Sequence, residues 1–353
     1  MERLDDARYI SKLDKSNMLH LIEALPDQFG AALAIFRKSG FRLKGKYDSV
    51  VVAGMGGSAI GGDIAGSYFL GRLPVPLIVL RDYDLPAFVD EKTLFVAVSY
   101  SGNTEETLAA LKEARDRRSD AVCIGSGGVM ADLSLSESLP VIPVPGGMPP
   151  RCAVAHLATS VILAVSNAFN IPGSTEEIEE AGAVLGEMEK ELTPSRPAKD
   201  NLAKLIASKF THRLPFVYSS SRFTDPVARR WSTQMNENAK TLCHYNMLPE
   251  LDHNEIVGWG IPRDVSYESC VVFLDPGDLS PRHRKRLKVT GDVISQMAAV
   301  ETVAARGAGR LSRLFSLVYV GDYVSFYLAM LNGVDPTPIE RIDYLKRKLK
   351  EED

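Results

Sequence analysis

Ser99, Ser101 and Thr104 place three hydroxyls where an apolar run, Leu94 to Val98, gives way to a helical pattern carrying Glu105 and Glu106. That order is a strand running into the start of a helix. The first amides of a helix lack intrahelical partners and its dipole favours negative charge, so this turn could hold a phosphate with the hydroxyls as further donors. Ser, Thr and Asn are also the ordinary N-caps of helices. Taken alone, the stretch leaves both readings open.

A second loop stands in the same context. Gly54-Met55-Gly56-Gly57-Ser58 follows the apolar run Ser49 to Ala53 and precedes a glycine-rich helix expected over residues 59–70. It is not a dinucleotide fingerprint, because Gly61-Gly62-Asp63 falls at the wrong spacing and no acidic residue ends a second strand. Nor is it a P-loop, since no Gly-Lys-Ser/Thr follows. Closely spaced glycines still admit a ligand to the backbone, with Gly56 and Gly57 lining the approach and Ser58 as donor. Together the two loops suggest a sugar-phosphate pocket at the carboxyl ends of parallel strands.

The elements that would position these loops alternate along the chain. Apolar runs at residues 76–80, 94–98, 121–124 and 141–144, separated by helical stretches, read as a parallel sheet covered on both faces. Residues 1–45 show helical spacing in two sets with Pro26 between them, a leading helical hairpin. Residues 153–169 are apolar nearly all round, as in a helix buried between layers, and 175–190 continue as a charged amphipathic helix. Residues 193–199, with two prolines, look like a linker. The alternation then restarts with strands expected at 216–218, 270–274 and 316–320 and helices over 226–239 and 280–305. Both halves open with an apolar strand leading to small residues, VVVAGMGGS and PFVYSSS, which suggests two similar α/β units.

Composition narrows the function classes. The chain has 353 residues, 45% hydrophobic and 24% charged, with a net charge of -4, so nothing global points to nucleic acid or an anionic membrane. The basic run Arg282 to Lys288 is short and isolated, and reads as a solvated face. No uncharged apolar run is long enough to span a bilayer, and the charged N-terminus is unlike a signal peptide, so a cytoplasmic location is expected. Cys123, Cys152, Cys243 and Cys270 lie far apart and read as buried free thiols; neither they nor the scattered histidines show metal-ligand spacing.

GMGGSAIGGD followed by VSYSGNTEET resembles the sugar isomerase (SIS) domain. PPRCA at 149–153, NENAK at 236–240 and ELDHNEIVGW at 250–259 are similar to segments of the bifunctional phosphoglucose/phosphomannose isomerases of archaea and bacteria. This resemblance covers nearly the whole chain. It implies an α/β fold of two SIS subdomains, each a mostly parallel sheet flanked by helices. The divisions would be N-terminal helices (1–45), first subdomain (46–150), helical connection (151–205), second subdomain (206–335) and C-terminal helix (336–353). It also implies a homodimer with the site shared between subunits, a hexose 6-phosphate substrate, and no metal or organic cofactor. Two rivals stay open: another SIS-domain sugar-phosphate isomerase, and a non-catalytic sugar-phosphate sensor, though no DNA-binding segment is attached.

The reaction so implied moves a proton between C1 and C2 through an enediolate, which needs a positioned base and a charge stabiliser. By the resemblance, Glu237 is the base, Arg151 holds the enediolate, His253 from the neighbouring subunit assists ring opening, and a C-terminal lysine does likewise. Arg151, entering an apolar helix after two prolines, needs an anionic partner in any case. In PIERIDYLKRKLKEED, Ile339, Ile342, Leu345 and Leu349 form one stripe at about 100° per residue, and Lys346 falls within it. Lys346 is therefore the expected site lysine, on the premise that this stripe is buried, with Lys350 as the fallback. Thr337 resembles the threonine associated with accepting both configurations at C2. Ser58, Ser99, Ser101 and Thr104 would bind the phosphate.

Overall fold

The computed structural model describes residues 2–43 and 45–351. Its frame is two parallel sheets. The first contains β1 (Ser49–Ala53), β2 (Leu77–Leu80), β3 (Thr93–Val98), β4 (Asp120–Gly125) and β5 (Val141–Pro143) in the spatial order β2-β1-β3-β4-β5. The second contains β6 (Leu214–Ser219), β7 (His244–Met247), β8 (Ser269–Asp275) and β9 (Ala299–Ala304) in the order β7-β6-β8-β9. All pairings are parallel. β1, β3 and β8 are buried along their whole length, as strands covered on both faces must be. This is the expected α/β architecture.

In each sheet the strand order reverses at one place: between β1 and β3, and between β6 and β8. Ligands of open α/β sheets bind beyond the carboxyl ends of the strands at such reversals. The glycine loop leaves β1 and the Ser99–Thr104 turn leaves β3, so the first sheet sets both loops side by side.

The core between the sheets is built by helices. Val154–Phe169 packs on Gly56–Tyr68, and Arg310–Asn332 packs on Ser174–Leu192, Leu202–Phe210 and Asp225–Glu237. Trp231, fully buried, locks Asp225–Glu237 to Arg310–Asn332 through its indole N–H, which donates to Leu317 O at 2.9 Å. Pro150–Phe169 and Arg310–Asn332 have the length and apolar composition of membrane-crossing helices, contrary to expectation, but both are buried within the protein. Their hydrophobicity serves the core.

Several sequence expectations are corrected. Residues 316–320 are no strand but part of Arg310–Asn332: an apolar run buried all round carries no period to tell helix from strand. Residues 280–305 divide into a helix, Pro281–Ile294, and strand β9. β7, with the polar sequence HYNM, and the helix Leu202–Phe210 were not foreseen. The N-terminal hairpin is instead three short helices, Ala7–Leu13, Met18–Glu23 and Leu25–Ser39, because Pro26 opens the last of them rather than separating two. Gly56, Gly57 and Ser58 belong to the first turn of a helix rather than to a loop.

Candidate functional site

The two glycine-rich turns meet directly. Ser58, nearly buried, accepts a hydrogen bond at 3.2 Å from the backbone N–H of Tyr100, joining the loop after β1 to that after β3. Ser99 is fully buried; its hydroxyl shares a 2.8 Å bond with Thr104 and accepts the Gly102 N–H at 3.1 Å. Gly102 adopts φ +70°, and a Cβ there would fall 1.7 Å from Gly127 O, so no other residue fits this turn. Ser101 is exposed, Thr104 half-exposed at the N-cap of Glu105–Asp116. Ser99 thus shapes the turn, while Ser101 and the first helical amides face outward where an anion could sit.

Arg151 approaches from the other side. Gly57 makes this possible: a Cβ at that position would lie 3.0 Å from Pro150 O and 3.1 Å from Arg151 N and Cα. The arginine is only 4% exposed, and three of its five N–H donors are taken by fixed acceptors. Nε donates to Asn238 Oδ1 at 2.8 Å, and Nη2 donates to Pro336 O at 3.1 Å and Thr337 O at 2.9 Å. The remaining nitrogen, Nη1, lies 3.4 Å from Glu237 Oε2. Glu237 ends the helix Asp225–Glu237 and stays partly open to solvent. The result is a fixed guanidinium facing an accessible carboxylate.

Around this pair lies a polar frame that the sequence reading missed. Asn238, fully buried, also donates to Ser325 Oγ at 3.0 Å. Arg230 holds the Arg151 carbonyl at 2.9 Å and pairs with Asp322 at 2.7 Å, and Gln234 donates to the same carboxylate at 3.0 Å. The Lys240 ammonium donates to Glu237 O at 2.5 Å, Pro336 O at 3.3 Å and Pro338 O at 2.6 Å. Partial desolvation, then the charge of Arg151, lowers the Lys240 pKa. Asp322 did carry a legible signal: it is the lone carboxylate of a 23-residue, mostly apolar helix and therefore needs a partner.

The other expected site residues fall out differently. Thr337 reaches the cluster through its carbonyl, while its hydroxyl is buried and has no hydrogen-bond partner among the described residues. His253 is exposed on the 3-10 turn Glu250–His253 and does not join Arg151 and Glu237 within one chain. Lys346 is exposed on the helix Glu340–Glu351. The premise that its stripe is buried does not hold within the chain: Ile342, Leu345 and Leu349 are 38%, 57% and 59% exposed. Among the described residues no element covers this amphipathic helix, which leaves much of its apolar face in water. The fallback, Lys350, has a side chain outside the described residues.

All four cysteines are free, but Cys243 is half-exposed rather than buried. Desolvation pushes the thiol of the buried Cys152 up to about 12, which keeps it protonated at neutral pH. Among the described residues no cluster of three or more His, Cys, Asp or Glu side chains is arranged to hold a metal.

Residues 199–349 match the family described as the bacterial phospho-glucose isomerase C-terminal SIS domain. A bifunctional phosphoglucose/phosphomannose isomerase of Caldicellulosiruptor bescii is 38% identical over 336 residues, 95% of this chain and 99% of that protein. The chain belongs to the bifunctional phosphoglucose/phosphomannose isomerase family. A second member, from Thermoplasma acidophilum, is 37% identical over 86% of this chain and 91% of its own length. Among solved structures, a glucose-6-phosphate isomerase like protein from Thermus thermophilus aligns with a TM-score of 0.63 at 19% identity, covering 98% of both chains; at that identity the likeness speaks for the fold. As a member of the phosphoglucose/phosphomannose isomerase family the chain is an isomerase, and its Arg151–Glu237 pair joins the turn after β5 of the first sheet to the end of the helix that follows β6 of the second.

Proposed function

We propose that this protein interconverts glucose 6-phosphate and mannose 6-phosphate with fructose 6-phosphate through an enediolate. The observation that carries the reading is the Arg151–Glu237 pair: a guanidinium immobilised on three acceptors, with its free nitrogen 3.4 Å from a solvent-accessible carboxylate. Glu237 takes the proton from C2 of the open-chain aldose and returns it to C1. Arg151, charged at any working pH and already oriented, lowers the energy of the enediolate oxygens as they gain negative charge. Because the enediolate is planar at C2, reprotonation on either face gives the glucose or the mannose configuration. Thr337, whose carbonyl accepts from Arg151 at 2.9 Å, would lie near that carbon.

The phosphate would lie on the turn at Ser101 and Thr104, with Gly56, Gly57, Ser58 and Ser99 holding the turn's shape. His253 and Lys346 would open the ring, His253 being contributed by the second subunit of a homodimer. The exposed His253, the exposed apolar face of Glu340–Glu351, and Val257 and Ile261 at 85% and 87% exposure support that assembly. The enzyme would work in the cytoplasm without metal or organic cofactor.

A coupled assay with each hexose 6-phosphate, run with and without EDTA, tests this. Turnover of both aldoses with EDTA present is the expected result. Inactivity on both would remove the reading, and loss on chelation would remove its metal-free part.

A further inference from the structure

His253 is exposed, and its ring has no hydrogen-bond partner among the described residues, yet the residues around it are tied down on both sides. Leu251, two positions before, is fully buried against the second sheet together with Tyr218 and Leu248. Asp252 accepts from Arg286 Nη1 at 2.7 Å and from the Thr290 hydroxyl at 2.8 Å, both on the helix Pro281–Ile294. Glu255 accepts from the Tyr218 hydroxyl on β6, from Asn246 Nδ2 at 2.5 Å, and bonds His244 Nε2 at 3.0 Å, the last two on β7. Between the two carboxylates, Asn254 bonds Glu250 at 2.9 Å and caps the amide of Glu255 at 2.5 Å.

A segment held at one point can swivel; held at two points on different elements, it cannot. Asp252 is fixed to a helix and Glu255 to two strands, and the residue between them that is spared any such bond is the imidazole. Carboxylates are suited to this work, since each presents two oxygens and can accept from several donors at once. Neither carboxylate faces open water: their side chains are 12% and 22% exposed.

We propose that Asp252 and Glu255 are positioning residues, a two-point clamp that projects the His253 imidazole away from its own chain at a fixed angle for use in the site of a second copy. The proposal rests on the ring-opening role given to His253 above. The clamp touches no reacting atom. It fixes the backbone that carries the imidazole before the subunits meet, so only the ring's own side-chain torsions remain to be settled on docking.

The experiment compares two substrates. Fructose 6-phosphate must open its ring, whereas 5-deoxyfructose 6-phosphate lacks the hydroxyl that closes the ring and is always open. Asp252→Asn and Glu255→Gln should lower kcat on fructose 6-phosphate by about ten- to a hundredfold, the loss expected for a misplaced catalytic group. On the open-chain substrate kcat should stay within about twofold, with KM similarly unchanged on both. Arg286→Met, which breaks the clamp from the helix side, should do the same and serves if either carboxylate variant folds poorly. Unchanged turnover of fructose 6-phosphate, or equal losses on both substrates, would overturn the clamp. His253→Asn is the reference: if it keeps full turnover of fructose 6-phosphate, the ring-opening role itself is wrong, a failure distinct from that of the clamp.

Discussion

Arg151 Nη1 and Glu237 Oε2 lie 3.4 Å apart, joining a turn that precedes the first long core helix to the last residue of a helix 86 positions later in the chain. The pair is asymmetric: the arginine is fixed and enclosed, the glutamate is reachable. Glu237→Gln keeps the size of the side chain but removes the carboxylate proposed as the base. It should lower kcat by about 10²–10⁴-fold, with little change in KM and loss of solvent exchange at C2 followed by NMR. Arg151→Lys keeps the charge but cannot reproduce the planar fork that meets Asn238, Pro336 and Thr337. A loss of about 10²–10³-fold in kcat is expected, as for removal of a preorganised donor from a developing anion. Retained turnover in either variant would contradict these roles.

Gly57 sets how closely the helix after β1 and the arginine turn can approach. Gly57→Ala introduces a methyl 3.0 Å from Pro150 O and 3.1 Å from Arg151 backbone atoms, so one segment must move. Overpacking of this kind costs about 1–3 kcal/mol, which urea unfolding would register. Because the segment displaced carries Arg151, kcat should fall further than the stability loss alone explains. Gly186, with nothing within 4 Å of its added Cβ, is the control: Gly186→Ala, inside the helix Ser174–Leu192, should raise stability by about 0.4–1 kcal/mol and leave kcat unchanged.

Arg230 and Asp322 form a buried ion pair whose roles in folding and catalysis can be separated. Asp322→Asn strands the Arg230 guanidinium without its counter-charge and should cost about 3–5 kcal/mol in unfolding experiments. Replacing both, with Arg230→Met and Asp322→Leu, should restore most of that stability. It should not restore kcat, since Arg230 also holds the Arg151 carbonyl at 2.9 Å. Full recovery of both would mean that the pair only fills the core.

His156 lies in the buried helix Val154–Phe169, and burial lowers its pKa from 6.5 to about 4. The unfolded chain takes up this proton near 6.5 and the folded chain only near 4, so between those values the unfolded state binds more protons. Stability should therefore decline as the pH falls through that window and stop declining from this cause below it. In His156→Gln the difference between urea midpoints at neutral and mildly acidic pH should shrink. An unchanged difference would show that His156 does not titrate in this way.

The strands of the first sheet were legible because each is a short, continuous apolar run bounded by turn residues; β1 was read to the residue. β7 was not, because HYNM at a sheet edge lacks both apolar run and alternation. Ser316–Val320 misled for the opposite reason, being too uniformly apolar to reveal a helical face. At the site, Arg151 and Glu237 could be named because they stand in segments resembling a known family. Asn238 and Lys240 stand in the same NENAK segment, but their work depends on acceptors and donors 87 to 98 positions away, which no local pattern reports. The C-terminal helix showed its stripe plainly; what covers that stripe is not a property of one chain's spacing.

Arg151 receives two of its three fixed acceptors from Pro336 and Thr337, beyond the last strand of either sheet. A chain emerging from the ribosome folds from its N-terminus. By the time Ala304 has appeared, every strand of both sheets exists, but the guanidinium still lacks the acceptors that orient it. The strands and the acceptors that orient Arg151 thus come from parts of the chain made at different times. Residues made near the end of synthesis, after the core helix Arg310–Asn332, carry the acceptors that orient the guanidinium.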